Sequence, residues 1–169
     1  SRRGVWDRER SEVTDVVKIV LFGNTPSKKN SKRVFSVKGR SYPVVLPSEG
    51  YARWHKRNIA HLPESATPAN GKGRISFPLP SIVRISVKFY RDSLRKWDYS
   101  NALESVQDIL VDARILADDN VKELCIGFLT HAIDRENPRA EVFLEYGLTS
   151  GVVDDLMNGV RALGQLGLD

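Results

Sequence analysis

The chain has 169 residues, 41% of them hydrophobic and 28% charged, a size and balance that let one globular domain bury its own core. No run approaches the roughly 20 apolar residues needed to span a bilayer. The single cysteine, Cys125, excludes an internal disulfide framework and a cysteine-built zinc site. The net charge is +5, unevenly spread. Residues 1–57 hold 14 Lys/Arg against 5 Asp/Glu, residues 58–99 hold 7 against 3, and residues 100–169 hold 5 against 13. A basic first half and an acidic second half suit a protein that meets a polyanion with one part and gathers carboxylates in another; ordinary mixed surface charge is the plainer reading. Residues 1–15 read as a polar N-terminal extension without the pattern of a signal peptide, and Ser1 in place of Met reads as a truncated start. A reducing cytoplasm is the expected location.

In chain order, Val16–Phe22 is β-branched and apolar and stops at Gly23-Asn24 and Pro26, which predicts a strand. Residues 25–40 form a loop dense in Lys28, Lys29, Lys32, Arg33, Lys38 and Arg40. Residues 48–62 predict a helix capped by Ser48, with Tyr51, Trp54, Ile59 and Leu62 recurring on one face and Arg53, Lys56 and Arg57 on another. Residues 63–80, rich in Pro, Gly, Ser and Asn, predict a surface excursion. Strict alternation of Val83, Ile85, Val87 and Phe89 with Arg84, Ser86 and Lys88 predicts a half-buried strand over 82–90.

A basic turn, Arg91–Lys96, leads to Trp97-Asp98-Tyr99-Ser100-Asn101 and a helix over 101–113 with Ala102, Leu103, Val106, Ile109, Leu110 and Ala113 as its apolar stripe. Glu104, Asp108 and Asp112 rise along its polar flank, and Asp118-Asp119 follow in a short loop. Residues 121–130 and 140–146 predict two strands joined as a hairpin through 134–139. Residues 152–166 predict an amphipathic helix, with Val153, Leu156, Met157, Val160 and Leu163 on one side; it either packs on its own sheet or serves a dimer or partner interface. The expected fold class is α+β, a small mixed sheet with helices on one face plus an extra C-terminal helix.

Carboxylates concentrate at Asp98, on the Glu104/Asp108 flank and at Asp118-Asp119. Hard cations such as Mg²⁺ take oxygen ligands, typically one or two carboxylates with waters and phosphate oxygens. Such an ion neutralises charge and lowers the pKa of an attacking water in phosphodiester hydrolysis. A solvated helix face with an Asp cap before it and an Asp-Asp loop after it accounts equally for the spacing. His55 and His61 stand six apart and His131 stands alone, so no histidine-based metal cluster is expected. Gly71-Lys72-Gly73 lacks the strand and helix context of a phosphate loop, and no nucleotide cofactor is expected.

The run Lys96-Trp97-Asp98-Tyr99-Ser100-Asn101, then Asp108-Ile109-Leu110, then Leu116-Ala117-Asp118-Asp119-Asn120-Val121 resembles the signature of the RusA family of Holliday-junction resolvases. The early strand followed by Thr25-Pro26-Ser27-Lys28-Lys29-Asn30 is similar to that family's Pro-Ser-basic opening loop. The resemblance covers residues 16–146, the expected nuclease domain, and leaves 147–169 outside. It implies a RusA-like fold and a homodimer that binds four-way DNA junctions and nicks two opposed strands in recombination and repair. Mg²⁺ would be held by aspartates, with Mn²⁺ able to substitute. A bacterial, prophage or phage setting is implied, with no membrane partner.

Residue by residue, the first metal-binding aspartate matches Asp98, the conserved asparagine matches Asn101, and the late aspartate matches Asp118-Asp119, with Asp119 the better ligand. Two positions depart: Ser100 stands where the family has its second aspartate, and Glu104 where it has a lysine. If the helix starts near Ser100, Glu104 lies one turn on, about 6 Å away. It could then restore the missing carboxylate, leaving Ser100 as N-cap. Asp98, Glu104, Asp118 and Asp119 are thus the candidate catalytic and metal residues. Lys28, Lys29, Asn30, Lys32, Arg33, Arg95, Lys96 and Asn101 are the candidate DNA contacts, since junctions are held largely through phosphates. Trp97 either stacks on a base or packs. The alternative function is a junction-binding protein on the same fold with weak or lost cleavage.

Overall fold

The structure is a computed structural model and describes residues 15–27, 33–80, 82–117 and 124–148. Its centre is a five-stranded mixed sheet with two helices, an α+β fold. Strand β1 (Asp15–Phe22) is followed by a short two-stranded ribbon, β2 (Arg33–Phe35) with β3 (Val44–Leu46), and by helix α1 (Glu49–Ile59). Then come β4 (Thr67–Pro68), β5 (Ile82–Arg91), helix α2 (Tyr99–Asp112), β6 (Leu124–Ile133) and β7 (Arg139–Leu148). The sheet order is β4-β1-β7-β5-β6. Within it β5 and β6 run parallel, joined across α2, and the other neighbours are antiparallel.

The period-two pattern decides which face is buried. Val17, Ile19 and Leu21 of β1, Val83, Ile85, Val87 and Phe89 of β5, and Ala140, Val142 and Leu144 of β7 form one apolar face. The stripes of both helices cover it: Tyr51 and Trp54 from α1, and Ala102, Leu103, Val106, Ile109 and Leu110 from α2. The other face is mixed, with apolar side chains such as Val20 and Phe143 between ion pairs: Lys18 pairs with Glu141, Arg84 with Glu145, and Arg139 with Glu141 and Asp134. An antiparallel sheet tolerates this one-sided wetting because its connections need not cover both faces.

Two expectations need correction. The strands over 121–130 and 140–146 do not form a hairpin. β6 pairs with β5 on one side and β7 pairs with β5 on the other, so β5 lies between them. β5 is the most deeply buried of the long strands, and covering it on both edges outweighs the local turn. The link over 134–138 passes across its end, where Asp134 N donates to Arg91 O at 2.8 Å and Arg139 pairs with Asp134 at 2.9 Å. Secondly, the loop over 25–40 contains β2, the stretch between that loop and α1 contains β3, and the excursion over 63–80 contains β4, strands of two or three residues too short to show a period. The predicted C-terminal helix lies outside the described residues.

Where β6 leaves the regular register opposite Ser86, Phe128 N donates to Ser86 Oγ at 3.2 Å. A Cβ on Gly127 would fall well inside contact distance of that hydroxyl and would also crowd the Arg84 stem at 3.3 Å. Gly127 therefore leaves room at the bulge for the Ser86 hydroxyl and the Arg84 stem. Gly127→Ala is expected to cost about 1–3 kcal/mol by overpacking, read as a lower denaturation midpoint at unchanged m-value. An unchanged midpoint would show that the bulge can relax.

Candidate functional site

β1 and β5 end on the same side of the sheet, and α2 begins beside them. Asp98 is the N-cap of α2: in an extended conformation (φ −122°, ψ 126°) its Oδ1 accepts from Ser100 N at 2.7 Å and Asn101 N at 3.3 Å. This corrects the expectation that Ser100 caps the helix. The carboxylate satisfies two otherwise orphaned donors and places its charge at the positive end of the helix dipole. Ser100 and Asn101 therefore sit inside the first turn. Fixing Oδ1 also fixes the plane of the carboxylate. Oδ2 accepts no hydrogen bond from the described residues.

The loop after β1 closes against this point. Asn24 Oδ1 accepts from Asp92 N at 3.1 Å, Arg91 Nη1 donates to Thr25 O at 2.8 Å, and Ser105 Oγ donates to Pro26 O at 2.7 Å. Side-chain hydrogen bonds from Asn24 and then Ser93 hold the Asp92 carboxyl below its usual range. These ties fix where the basic segment leaves β1, although Lys28, Lys29, Asn30 and Lys32 themselves lie outside the described residues. Between loop and helix lies a cleft of about 200 Å³, lined by Thr25, Pro26, Ser27, Arg91, Lys96, Trp97, Asp98 and Ala102.

Trp97 packs. Its ring meets Phe89 edge-on at 5.1 Å and tilts against Tyr99 at 4.6 Å, and the Arg91 guanidinium lies 5.0 Å from its centroid. His131 joins this group: it hydrogen-bonds the Tyr99 hydroxyl and meets Trp97 edge-on at 5.8 Å. A histidine that stood alone in the sequence thus pins the first turn of α2 to the end of β6. Half-burial lowers the pKa of Arg91 from its ordinary value, opposed by Asp92; a guanidinium stays charged regardless.

The other candidates separate. Lys96 lines the cleft and Arg95 is exposed next to it. Asn101 is half-buried and gives its backbone N–H to Asp98. Arg33 is taken up by Glu49 Oε1 at 2.7 Å and Pro47 O at 3.3 Å, anchoring β2 to the first turn of α1. Glu104 stands one turn beyond Ser100, as the spacing implied. Its charge, with those of Asp108 and Asp112, acts on Tyr51 of α1. Asp112 also pairs with His55 at 2.8 Å. The acidic flank therefore works at least partly toward α1. Asp118 and Asp119 lie outside the described residues, and among the described residues no three Asp, Glu, His or Cys side chains group as metal ligands. What the structure places at the cleft is one oriented carboxylate, an oxygen donor of the kind that Mg²⁺ takes singly or in pairs with water and phosphate.

Burial first, then the charges of Asp108, Asp112 and Glu104, push the Tyr51 hydroxyl up to about 12. Its unfolded value is near 10, so folding favours the neutral phenol. That contribution is whole below pH 10 and is lost as pH rises toward 12. Stability should fall by up to about 2–3 kcal/mol across this window, and Tyr51→Phe should flatten that part of the profile in denaturant titrations. A wild-type profile as flat as the variant's would contradict this environment for Tyr51.

The sequence matches no family model and no curated protein. No helix among the described residues is long and apolar enough to cross a membrane.

Proposed function

We propose that the chain is a Mg²⁺-dependent endonuclease that nicks branched DNA, resolving four-way junctions as RusA-like enzymes do. One observation carries the proposal. A helix-capping carboxylate, Asp98, stands with one oxygen uncommitted to the described residues at a cleft walled by Arg91 and Lys96, and the root of a lysine-rich loop is tied to its rim. Phosphodiester cleavage needs these two things together: an anionic oxygen to hold a metal, and cations to hold the strand. Asp98 would hold the ion, joined by Asp119, Asp118 or Glu104. When bound, the ion would supply charge neutralisation and a more acidic water. Asp98 orients its carboxylate through the α2 amides, Lys96 and Arg95 would draw in backbone phosphates, and Asn101 fixes the turn.

The homodimer implied by the resemblance belongs to the proposal. The apolar side chains exposed on the β2–β3 ribbon, among them Val34, Tyr42 and Val45, offer a surface for a second copy; sedimentation velocity gives the molar mass that decides it. A cytoplasmic, nucleoid-associated setting follows from the substrate.

The test is nicking of an end-labelled four-way junction beside flap and duplex substrates, with Mg²⁺ and with EDTA. The expected result is paired nicks on the junction only and only with metal. Junction affinity should fall about 10³-fold or more between 50 and 200 mM salt if six or more phosphates are contacted. Tight, salt-sensitive junction binding without nicks would establish the non-catalytic alternative. Equal cleavage of all substrates would remove junction selectivity.

A further inference from the structure

The floor of the cleft carries an oddity that the carboxylate does not explain. Thr25 is 4% exposed, yet its Oγ1 has no hydrogen-bond partner among the described residues. Arg91, which lines the same cleft, keeps a buried Nε–H that likewise has no partner among the described residues, while its Nη1 donates to Thr25 O. Buried donors are normally paired, and leaving one bare costs the desolvation of the group. Two such buried donors, on residues that both line one cleft, mark a place that an acceptor-rich group would complete.

Charge selects the kind of group. The lining holds two cations, Arg91 and Lys96, against one carboxylate, Asp98, whose Oδ1 is already committed to backbone amides. The occupant is therefore an anion with several acceptor oxygens rather than a neutral polar molecule. The space of about 200 Å³ is several times that of one water molecule. Trp97, packed between Arg91 and Phe89, forms a firm wall and limits how far the guanidinium can swing away.

We propose that this cleft is a phosphate seat, in which Thr25 Oγ1, Arg91 and Lys96 hold the non-bridging oxygens of a phosphate group beside Asp98. Phosphate binding stands on these residues alone. That the phosphate is the DNA diester next to the cut rests on the nuclease reading above.

Two probes separate the sources of phosphate: inorganic phosphate, and the dinucleoside monophosphate TpT, which carries a single diester. Binding of each to the full chain is followed by ³¹P line broadening without metal at matched ionic strength. The wild type should bind at least one of them saturably. Thr25→Val should weaken that binding about tenfold and Thr25→Ser should preserve it. Because valine removes an unsatisfied hydroxyl, the melting temperature of Thr25→Val should stay level or rise, which a merely structural threonine would not allow. Absence of saturable binding of both probes overturns the seat, as does Thr25→Val binding like the wild type. If the seat stands and junctions are not nicked, the nuclease reading falls alone; nicking with a phosphate affinity indifferent to Thr25 removes the seat alone.

Discussion

Asp98→Asn is expected to lower Mg²⁺-dependent nicking of a four-way junction at least about 100-fold, the upper end of what losing an outer-sphere partner of a metal ligand costs, while the protein stays folded. The two halves of this result have separate causes. Asparagine caps a helix about as well as aspartate, so the bonds from Ser100 N and Asn101 N to the capping side chain are kept. Only the charge is lost, worth about 0.3–1 kcal/mol at the helix end. The metal, by contrast, needs the anionic oxygen. Asp98→Ala is the control: it removes the cap as well and should lose a further 0.5–2 kcal/mol or so. Nicking rates, junction affinity in EDTA and melting temperatures together give the answer. A fully active Asp98→Asn would sink the role of this residue as a ligand. Glu104→Gln nicking normally beside a dead Asp98→Asn would leave Glu104 to its electrostatic work on Tyr51.

Phe89→Ala should be the most damaging core change near the site, costing about 3–5 kcal/mol. Phe89 is fully buried near the end of β5, in register with Ala140 on β7 and His131 on β6. Its ring also supports Trp97 and, at 6.1 Å, Tyr99. Alanine leaves a cavity under the aromatic group that aligns the first turn of α2, so the cleft should loosen as well. Chemical denaturation gives the stability, and quenching of tryptophan emission by iodide reports whether Trp97 becomes more accessible. A loss below about 1 kcal/mol, with quenching unchanged, would mean that the aromatic group supports itself without Phe89.

How much of this was legible beforehand depends on the range of the interaction concerned. β1, β5 and both helices follow from period and caps, because the alternation at Val83–Phe89 and the stripe at Ala102–Leu110 are local facts of the chain. Ser48 was readable as the cap of α1, and its Oγ accepts from Tyr51 N. For the cap of α2 both Asp98 and Ser100 suit the role, and only the backbone at Asp98 decides between them. At the site, the resemblance singled out Asp98, Asn101 and Lys96 from residues close in sequence. It gave no role to Thr25, and His131 stood alone. Thr25 meets Arg91 from 66 residues away, and Tyr99 meets His131 from 32.

The sequence by itself therefore determined the α+β class, the faces of the strands and the separation of basic from acidic residues along the chain. Only the tertiary structure decided that β5 lies between β6 and β7, and that the loop after β1 closes on the start of α2. It also left Thr25 and Arg91, at the same cleft, with buried donors that no described residue satisfies. The reason is physical: periodicity and capping are settled within a few residues, whereas sheet order and cleft geometry depend on which buried surfaces are best covered, a competition among segments far apart in the chain.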